Sequence, residues 1–269
     1  MQTEMNVRFG FYPGAKRRAL TFSYDDGRVE DRRLVEIFNT YGMKGTFHLN
    51  SANFDRVNFL ARDEVAELYR GHEIASHGFT HPWLERLPPE SFAFEVLEDR
   101  RRLEALCGCP VRGMSYPWGT VTPEVEAGVR ALGIRYSRTI RSTGQFNLPE
   151  NFLRWDPTCH IFNHLLEYGQ RFVERTSLRK PLLFYVWGHS WELNSNDGWT
   201  MIEQFCKQVG GRDDIWYATN IAIYDYMQAV SQLEFTADAD RVYNRSAADC
   251  WLYVDGATVR LPAGEITAL

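Results

Sequence analysis

Short apolar runs alternate with amphipathic stretches along most of the chain. Residues 19–24 read as a strand. Residues 30–41 then place Leu34, Ile37, Phe38 and Tyr41 at helical spacing, with Gly42 as a stop. Residues 45–49 and 73–76 are strand-like, separated by a helix over 63–69 that ends at Gly71. A long helix is predicted over 89–106, with Val96, Leu97, Leu103 and Leu106 along one side. Residues 111–116 read as a strand. Thr122-Pro123 supplies an N-cap and a first-turn proline for a helix closed by Gly133. The pattern continues with strands at 134–140 and 153–159, a helix at 165–174, a strand at 182–187, a helix at 199–209 and a strand at 215–219. Asn220 is the predicted cap of a last helix reaching about residue 230.

Such alternation implies a parallel sheet covered by helices. Seven or eight β–α units in roughly 230 residues fit an α/β fold of the distorted (β/α) barrel kind, with an open doubly wound sheet as the alternative. The tail breaks the pattern. Residues 241–244, 250–254 and 258–261 read as short strands, and Asp255-Gly256 between two of them is a hairpin signal. Residues 1–232 are therefore expected to form the barrel. Residues 233–269 are expected to form a small β appendage packed on it.

Composition narrows the function classes. With 44% hydrophobic and 24% charged residues over 269 positions, the chain reads as an ordinary globular protein. Its net charge of -5 argues against nucleic acid or an acidic membrane as partner. Self-association as a homo-oligomer is compatible with the pattern. No run approaches the ~18 apolar residues of a membrane span. The first six residues carry an acid and no apolar core, so no signal peptide is expected and a cytoplasmic location follows, unless a leader was removed. The five cysteines are scattered, and Cys107-Gly-Cys109 reads as two ordinary reduced thiols.

The unusual polar residues fall just past the predicted strand ends. Asp25 and Asp26 follow the first strand, His77 and His81 the third, and Ser115-Tyr-Pro-Trp-Gly119 the fourth. His189 follows the strand at 182–187. In a barrel these ends converge on one mouth. Alone, Asp-Asp-Gly is a solvated turn and His-x-x-x-His a modest signal. Together they supply two imidazoles and a carboxylate, a common ligand set for catalytic zinc with a position left open for water.

These segments resemble the motifs of the polysaccharide deacetylase family, also called the NodB-homology domain or carbohydrate esterase family 4, over roughly residues 20–190. T-F-S-Y-D-D-G at 21–27 is similar to the family's T-F-D-D-G. H-G-F-T-H at 77–81 is similar to H-[ST]-x-x-H, S-Y-P-W-G at 115–119 to R-P-P-Y-G, and W-G-H at 187–189 to L-x-H. The resemblance implies a distorted (β/α) barrel and a divalent metal, usually zinc. It implies Asp26, His77 and His81 as ligands, Asp25 as general base, His189 as general acid, and the Trp118 backbone N–H in the oxyanion hole. Tyr116, Trp118 and Trp191 are the residues expected to meet an acetylated saccharide, aromatic faces being suited to sugar rings.

Two departures from the family pattern stand out. Ser115 occupies the place of the third motif's arginine. Arg138, near the end of the next strand, is the residue expected to supply that charge, against a purely structural role. The fourth motif, D-x-x-D-W, is not evident. Trp155-Asp156 is the nearest candidate for an acid that orients His189, and His160 is a candidate to approach the site, although strand-end residues of these types are more often structural. His48 is expected to be a core histidine. The leading reading is removal of an N- or O-acetyl group from a carbohydrate. A cyclic-amide hydrolase with the same metal site and a non-catalytic carbohydrate-binding barrel are the alternatives.

Overall fold

The fold is organised around β2 (Arg18–Asp26), in which eight of nine residues are buried. A strand in the middle of a parallel sheet has neither face in water, because one face meets the barrel interior and the other the helices. That is why R-A-L-T-F-S-Y-D-D has no simple alternation. In the computed structural model, residues 7–175 and 180–269 are described. The first six residues, in which no leader was expected, lie outside that set.

After β1 (Val7–Phe9) and β2 come α1 (Asp31–Thr40), β3 (Gly45–Leu49), α2 (Val65–Leu68), β4 (Glu73–Ser76) and α3 (Pro89–Cys107). Then follow β5 (Gly113–Ser115), α4 (Pro123–Ala131), β6 (Tyr136–Arg138), β7 (Cys159–His160), α5 (Leu165–Glu174) and β8 (Leu182–His189). The barrel part ends with α6 (Gly198–Val209), β9 (Ile215–Tyr217) and α7 (Asn220–Ser231). The parallel sheet runs β6-β5-β4-β3-β2-β8-β7, with β9 beside the start of β2. Segment 155–160 joins its two ends. Trp155 N donates to Ser137 O at 3.0 Å, and Thr158 N donates to Tyr185 O at 2.8 Å. The result is the distorted (β/α) barrel expected from the sequence.

Register sets the mouth. Asp25 lies level with His48 of β3 on one side and with His189 of β8 on the other. Ser115 lies level with Arg138. The polar residues noted above therefore share one rim.

Two predicted elements are corrected. The strand expected over 153–159 is a 3-10 turn at Phe152–Arg154 followed by the two-residue β7. Pro157 has no N–H to contribute to a ladder, and the Asn151 side chain accepts from Leu153 N at 2.9 Å to start the turn instead. The cap of α7 is Thr219, whose hydroxyl accepts from Ala222 N at 3.4 Å, not Asn220. The Asn220 side chain is turned inward, donating to Tyr185 Oη at 2.6 Å and accepting from the Thr21 hydroxyl at 2.7 Å.

The C-terminal residues form β10 (Leu233–Phe235), β11 (Arg241–Asn244), β12 (Cys250–Val254), β13 (Ala257–Leu261) and β14 (Ile266–Ala268). Asp255 and Gly256 both have positive φ, 45° and 93°, as a tight two-residue hairpin between β12 and β13 demands. β12 also pairs with β1, from the other end of the chain. Cys250, Leu252, Val254 and Leu261 share a buried cluster with Tyr12, Trp155, Leu183 and Ile223, so these strands pack against the barrel wall. Among the described residues, no helix is long and apolar enough to cross a membrane.

Candidate metal and catalytic site

The metal-ligand candidates come from two loops. Asp26 ends β2 with φ of 83°, and His81 also has a positive φ, 64°. Both conformations are uncommon for residues with a β-carbon. One ring nitrogen each of His77 and His81 and a carboxylate oxygen of Asp26 all lie within 4.8 Å of one another. His77 Nε2 is 4.0 Å from Asp26 Oδ1 and 3.8 Å from Asp25 Oδ2. Its other nitrogen, Nδ1, lies 2.9 Å from Ser115 O. A carbonyl can only accept, so that contact puts a hydrogen on Nδ1 and turns Nε2 toward Asp26. Burial, followed by the neighbouring His77, lowers the His81 imidazole to about 4, so it is neutral near pH 7. Two imidazoles and one carboxylate with converging donor atoms fit a divalent ion such as zinc.

The loop carrying the two histidines is tied down by α3. Glu95 accepts from Thr80 N at 2.8 Å and from its hydroxyl at 2.7 Å. Asp99, one turn further on, accepts from Ser76 Oγ at 2.6 Å and from Ser51 N and Oγ at 2.8 and 2.6 Å. Asn50 donates to the His77 and Gly78 carbonyls at 2.6 and 2.7 Å. Neither acid of α3 carries a sequence signal beyond being acidic on a half-buried helix face.

Asp25 is buried beside this group. Its Oδ2 accepts from Arg138, and its Oδ1 accepts from Ser115 Oγ at 3.0 Å. Burial alone would raise this carboxyl. The Arg138 guanidinium, with His77, His48 and His189 around it, instead holds it well below the usual carboxylate range. Arg138 is itself fully buried, donating to Ser23 Oγ at 2.9 Å and to Thr139 O at 3.0 Å. Its guanidinium sits 4.4 Å from the Trp187 ring centroid. Arg138 therefore stands where the motif's missing arginine charge was sought, and Ser115 fills the vacated space with a bridging hydroxyl.

His189 closes the other side. Its Nδ1 is 3.1 Å from Glu192 Oε2. Burial would lower this imidazole, but the hydrogen bond to Glu192 and the nearby Asp25 and Asp26 raise it. Glu192, three residues downstream in a 3-10 turn, went unnoticed in the sequence, although i to i+3 spacing at a turn start is a capping signature. Asp156, the expected orienting acid, is turned elsewhere and accepts from the Thr139 hydroxyl and Arg141. His160 does approach, with Nε2 3.1 Å from the same Glu192 oxygen. His48 is a core histidine, with Nδ1 3.3 Å from Ser76 O, and burial lowers it to about 3.

These groups line one cleft of about 500 Å³, walled by Asn50, Phe59, Trp118, Ile140, Trp187 and Trp191 among others. Trp118 and Trp191 are 50% and 42% exposed, as a ligand-facing aromatic must be. Trp118 stacks on Trp83 at 4.9 Å and 2°, and Trp191 Nε1 donates to Asp26 Oδ2 at 3.3 Å. Tyr116 is different. It borders the cleft, yet its ring is buried and its hydroxyl donates to Leu153 O at 2.8 Å, so the side chain expected to meet substrate is committed to the core. Trp199 is engaged with Arg33 and Asn194, away from the cleft.

Comparison with known proteins finds similarity in both sequence and fold. The polysaccharide deacetylase family model matches residues 13–137. A chitooligosaccharide deacetylase from Bradyrhizobium sp. is 28% identical over 131 residues, which is 48% of this chain and 58% of that relative's length. Among solved structures, one from Mycobacterium smegmatis assigned as a polysaccharide deacetylase aligns over 84% of this chain and 96% of its own, with a TM-score of 0.62 at 15% identity. An allantoinase, PuuE, aligns over 80% of this chain and 92% of its own, with a TM-score of 0.62 at 14% identity. At such identities the structural matches speak for the fold alone. Residues 13–137, the stretch that supplies Asp25, Asp26, His77, His81 and Trp118, are thus similar to the polysaccharide deacetylase family.

Proposed function

We propose that this protein is a metal-dependent hydrolase that removes an acetyl group from an N- or O-acetylated carbohydrate. The observation that carries the proposal is the convergence of Asp26, His77 and His81 on one point of a cleft, with an ionised Asp25 on one side and His189 on the other. A divalent ion held there, zinc being the best match to the donor set, would polarise the acetyl carbonyl and lower the pKa of a water molecule toward ~7.

The chain's own groups do the rest. Asp25, held in place by Arg138 and Ser115, orients the attacking water and receives its proton. The Trp118 backbone N–H is available to the oxygen that gains charge in the tetrahedral state. His189, anchored through Nδ1, delivers a proton from Nε2 to the departing amine or alkoxide. Trp118 and Trp191 offer apolar faces to the sugar ring.

The test is metal analysis of the purified protein combined with acetate release from a panel of acetylated sugars. About one divalent ion per chain is expected. Acetate release should stop on chelation and return with zinc. D26A and H81A should lose both the ion and the activity. Acetate release untouched by chelation, or a protein that binds no divalent ion, overturns the proposal. A cyclic ureide in the panel distinguishes the amide-opening alternative, which the structure's geometry does not specifically favour.

A further inference from the structure

Beside the metal and base groups lies a polar cluster that the chemistry above uses only in part. His160 and His189 converge on a single oxygen of Glu192, each at 3.1 Å, and His189 N donates to that oxygen at 2.9 Å. The backbone settles how His160 is protonated. Phe162 N donates to His160 Nδ1 at 3.3 Å, so that nitrogen carries the lone pair and Nε2 carries the hydrogen directed at Glu192. The Glu192 oxygen thus has three donors around it, and burial of all three side chains leaves each only about a fifth exposed.

The two sides of Glu192 are tied differently. Its link to His189 is local, within the first turn of the 3-10 helix at Ser190–Asn194. Its link to His160 is tertiary, because His160 is on β7, level with Trp187 of β8. The His160 ring meets the Trp187 ring edge-on at 4.8 Å, and Trp187 is also in contact with the Arg138 guanidinium that holds Asp25. A glutamate in a short turn has several rotamers open to it. A donor fixed on the barrel wall removes that freedom.

We infer that His160 is a positioning residue for His189. Acting through Glu192, it fixes the carboxylate so that His189 keeps its hydrogen on Nδ1 and presents Nε2 to the cleft. The consequence for turnover rests on the reading of His189 as the proton donor. The consequence for the His189 tautomer does not.

The experiment uses the full-length protein with its metal, selectively labelled with 15N-histidine, and compares wild type, H160F, H160Q, E192Q and H160F/E192Q. Phenylalanine keeps a ring on Trp187 without the donor, whereas glutamine keeps an N–H. Long-range 1H–15N spectra should show the Nδ1–H form of His189 in wild type and H160Q, and a mixture of both tautomers in H160F. With an acetylated chitooligosaccharide as substrate, H160F should lower kcat roughly ten-fold with KM held within about two-fold, as expected for misorientation of a reacting group. H160Q should recover most of the loss, and H160F should cost nothing further in the E192Q background. An unchanged His189 tautomer in H160F, or a full additional loss in the double variant, overturns the inference. So does a zinc titration that shifts His160 and His189 together, since the trio would then be a second metal site. If wild type releases no acetate yet H160F scrambles the tautomer, the positioning role stands and the deacetylase reading fails. Thermal melts identify an H160F chain that does not fold, and H160Q against E192Q then decides the question through the tautomer alone.

Discussion

Replacing Arg138 with methionine tests the centre of the site. Methionine fills comparable space and supplies no donors. The side chain it replaces is fully buried and serves Asp25, Ser23 and the Thr139 carbonyl. Removing one partner of a buried pair leaves an uncompensated charge, which costs about 3–5 kcal/mol. For a chain of this length that corresponds to a fall in Tm on the order of 10 °C. The pH dependence gives the sharper signature. In wild type the Asp25 carboxyl is depressed below its unfolded value of ~3.9. The pair's contribution is therefore fully present above about pH 4 and is lost only as pH falls through the lower folded value. In R138M burial dominates and the carboxyl rises above its unfolded value, so the variant is penalised most where the group must ionise. The gap in Tm between wild type and R138M should widen from pH 4.5 to pH 8. The acid limb of kcat/KM should move to higher pH, because the base must be ionised to act. R138K, with a charge but no fork, should fall between. The assays are thermal melts by circular dichroism at the two pH values and a pH–rate profile of acetate release. A Tm gap independent of pH, with an unmoved acid limb, would show that Arg138 only fills space.

Three further outcomes follow from the same geometry. D99A frees Ser76 and Ser51 from α3 and should weaken metal binding ~10–100-fold, as loss of a ligand-orienting contact does, read by competition with a chromophoric chelator; an unaltered affinity would separate Asp99 from the ligand loop. W118A removes an exposed ring stacked on Trp83, and KM for an acetylated oligosaccharide should rise roughly five-fold with kcat little changed. A fall in kcat alone would instead place Trp118 in the chemical step. G256V puts a branched side chain where φ is 93°, and should cost at least ~1 kcal/mol, seen as a Tm lowered by a few degrees; equal melting would mean that the hairpin turn tolerates another conformation.

The barrel was legible because its signals are local. Each strand is a short run bounded by turn residues, and the alternation with helices dictates parallel pairing. Polar residues just past strand ends group together on sequence grounds, since strand direction assigns them all to one mouth. Partners selected only by tertiary packing were not legible. Arg138 is 113 positions from the Asp25 it neutralises, and its nomination needed a known vacancy at Ser115. Glu95 and Asp99 resemble any helix-surface acids until the loop they hold is seen. Tyr116 reads as a cleft residue from its place in the motif, but its ring faces inward to reach Leu153 O. The pairing of β1 with β12 has no signature at all, because Val7 and Val254 come from opposite ends of the chain.

Adjacent aspartates that face one cleft require a break in strand geometry. Successive side chains of a regular strand point to opposite faces, so Asp25 and Asp26 should be unable to share a cavity. Asp25 remains in the strand, level with His48 and His189, and is drawn inward by Arg138. Asp26 takes φ of 83°, which swings its carboxylate out of the alternation and back over the mouth. Both then lie within 4.0 Å of His77 Nε2. The following Gly27, at φ of 70°, lets the chain leave in the same hand, and a β-carbon there would meet Leu49 Cδ2 at 3.0 Å. The left-handed Asp26 thus costs local backbone energy, of order 1–3 kcal/mol for such a residue, and its effect is to turn one carboxylate toward the imidazoles while the other stays paired with arginine. In Asp-Asp-Gly the glycine and the turn are visible as sequence. The difference in surroundings between the two acids comes from the backbone, which places one carboxylate beside arginine and the other beside the imidazoles.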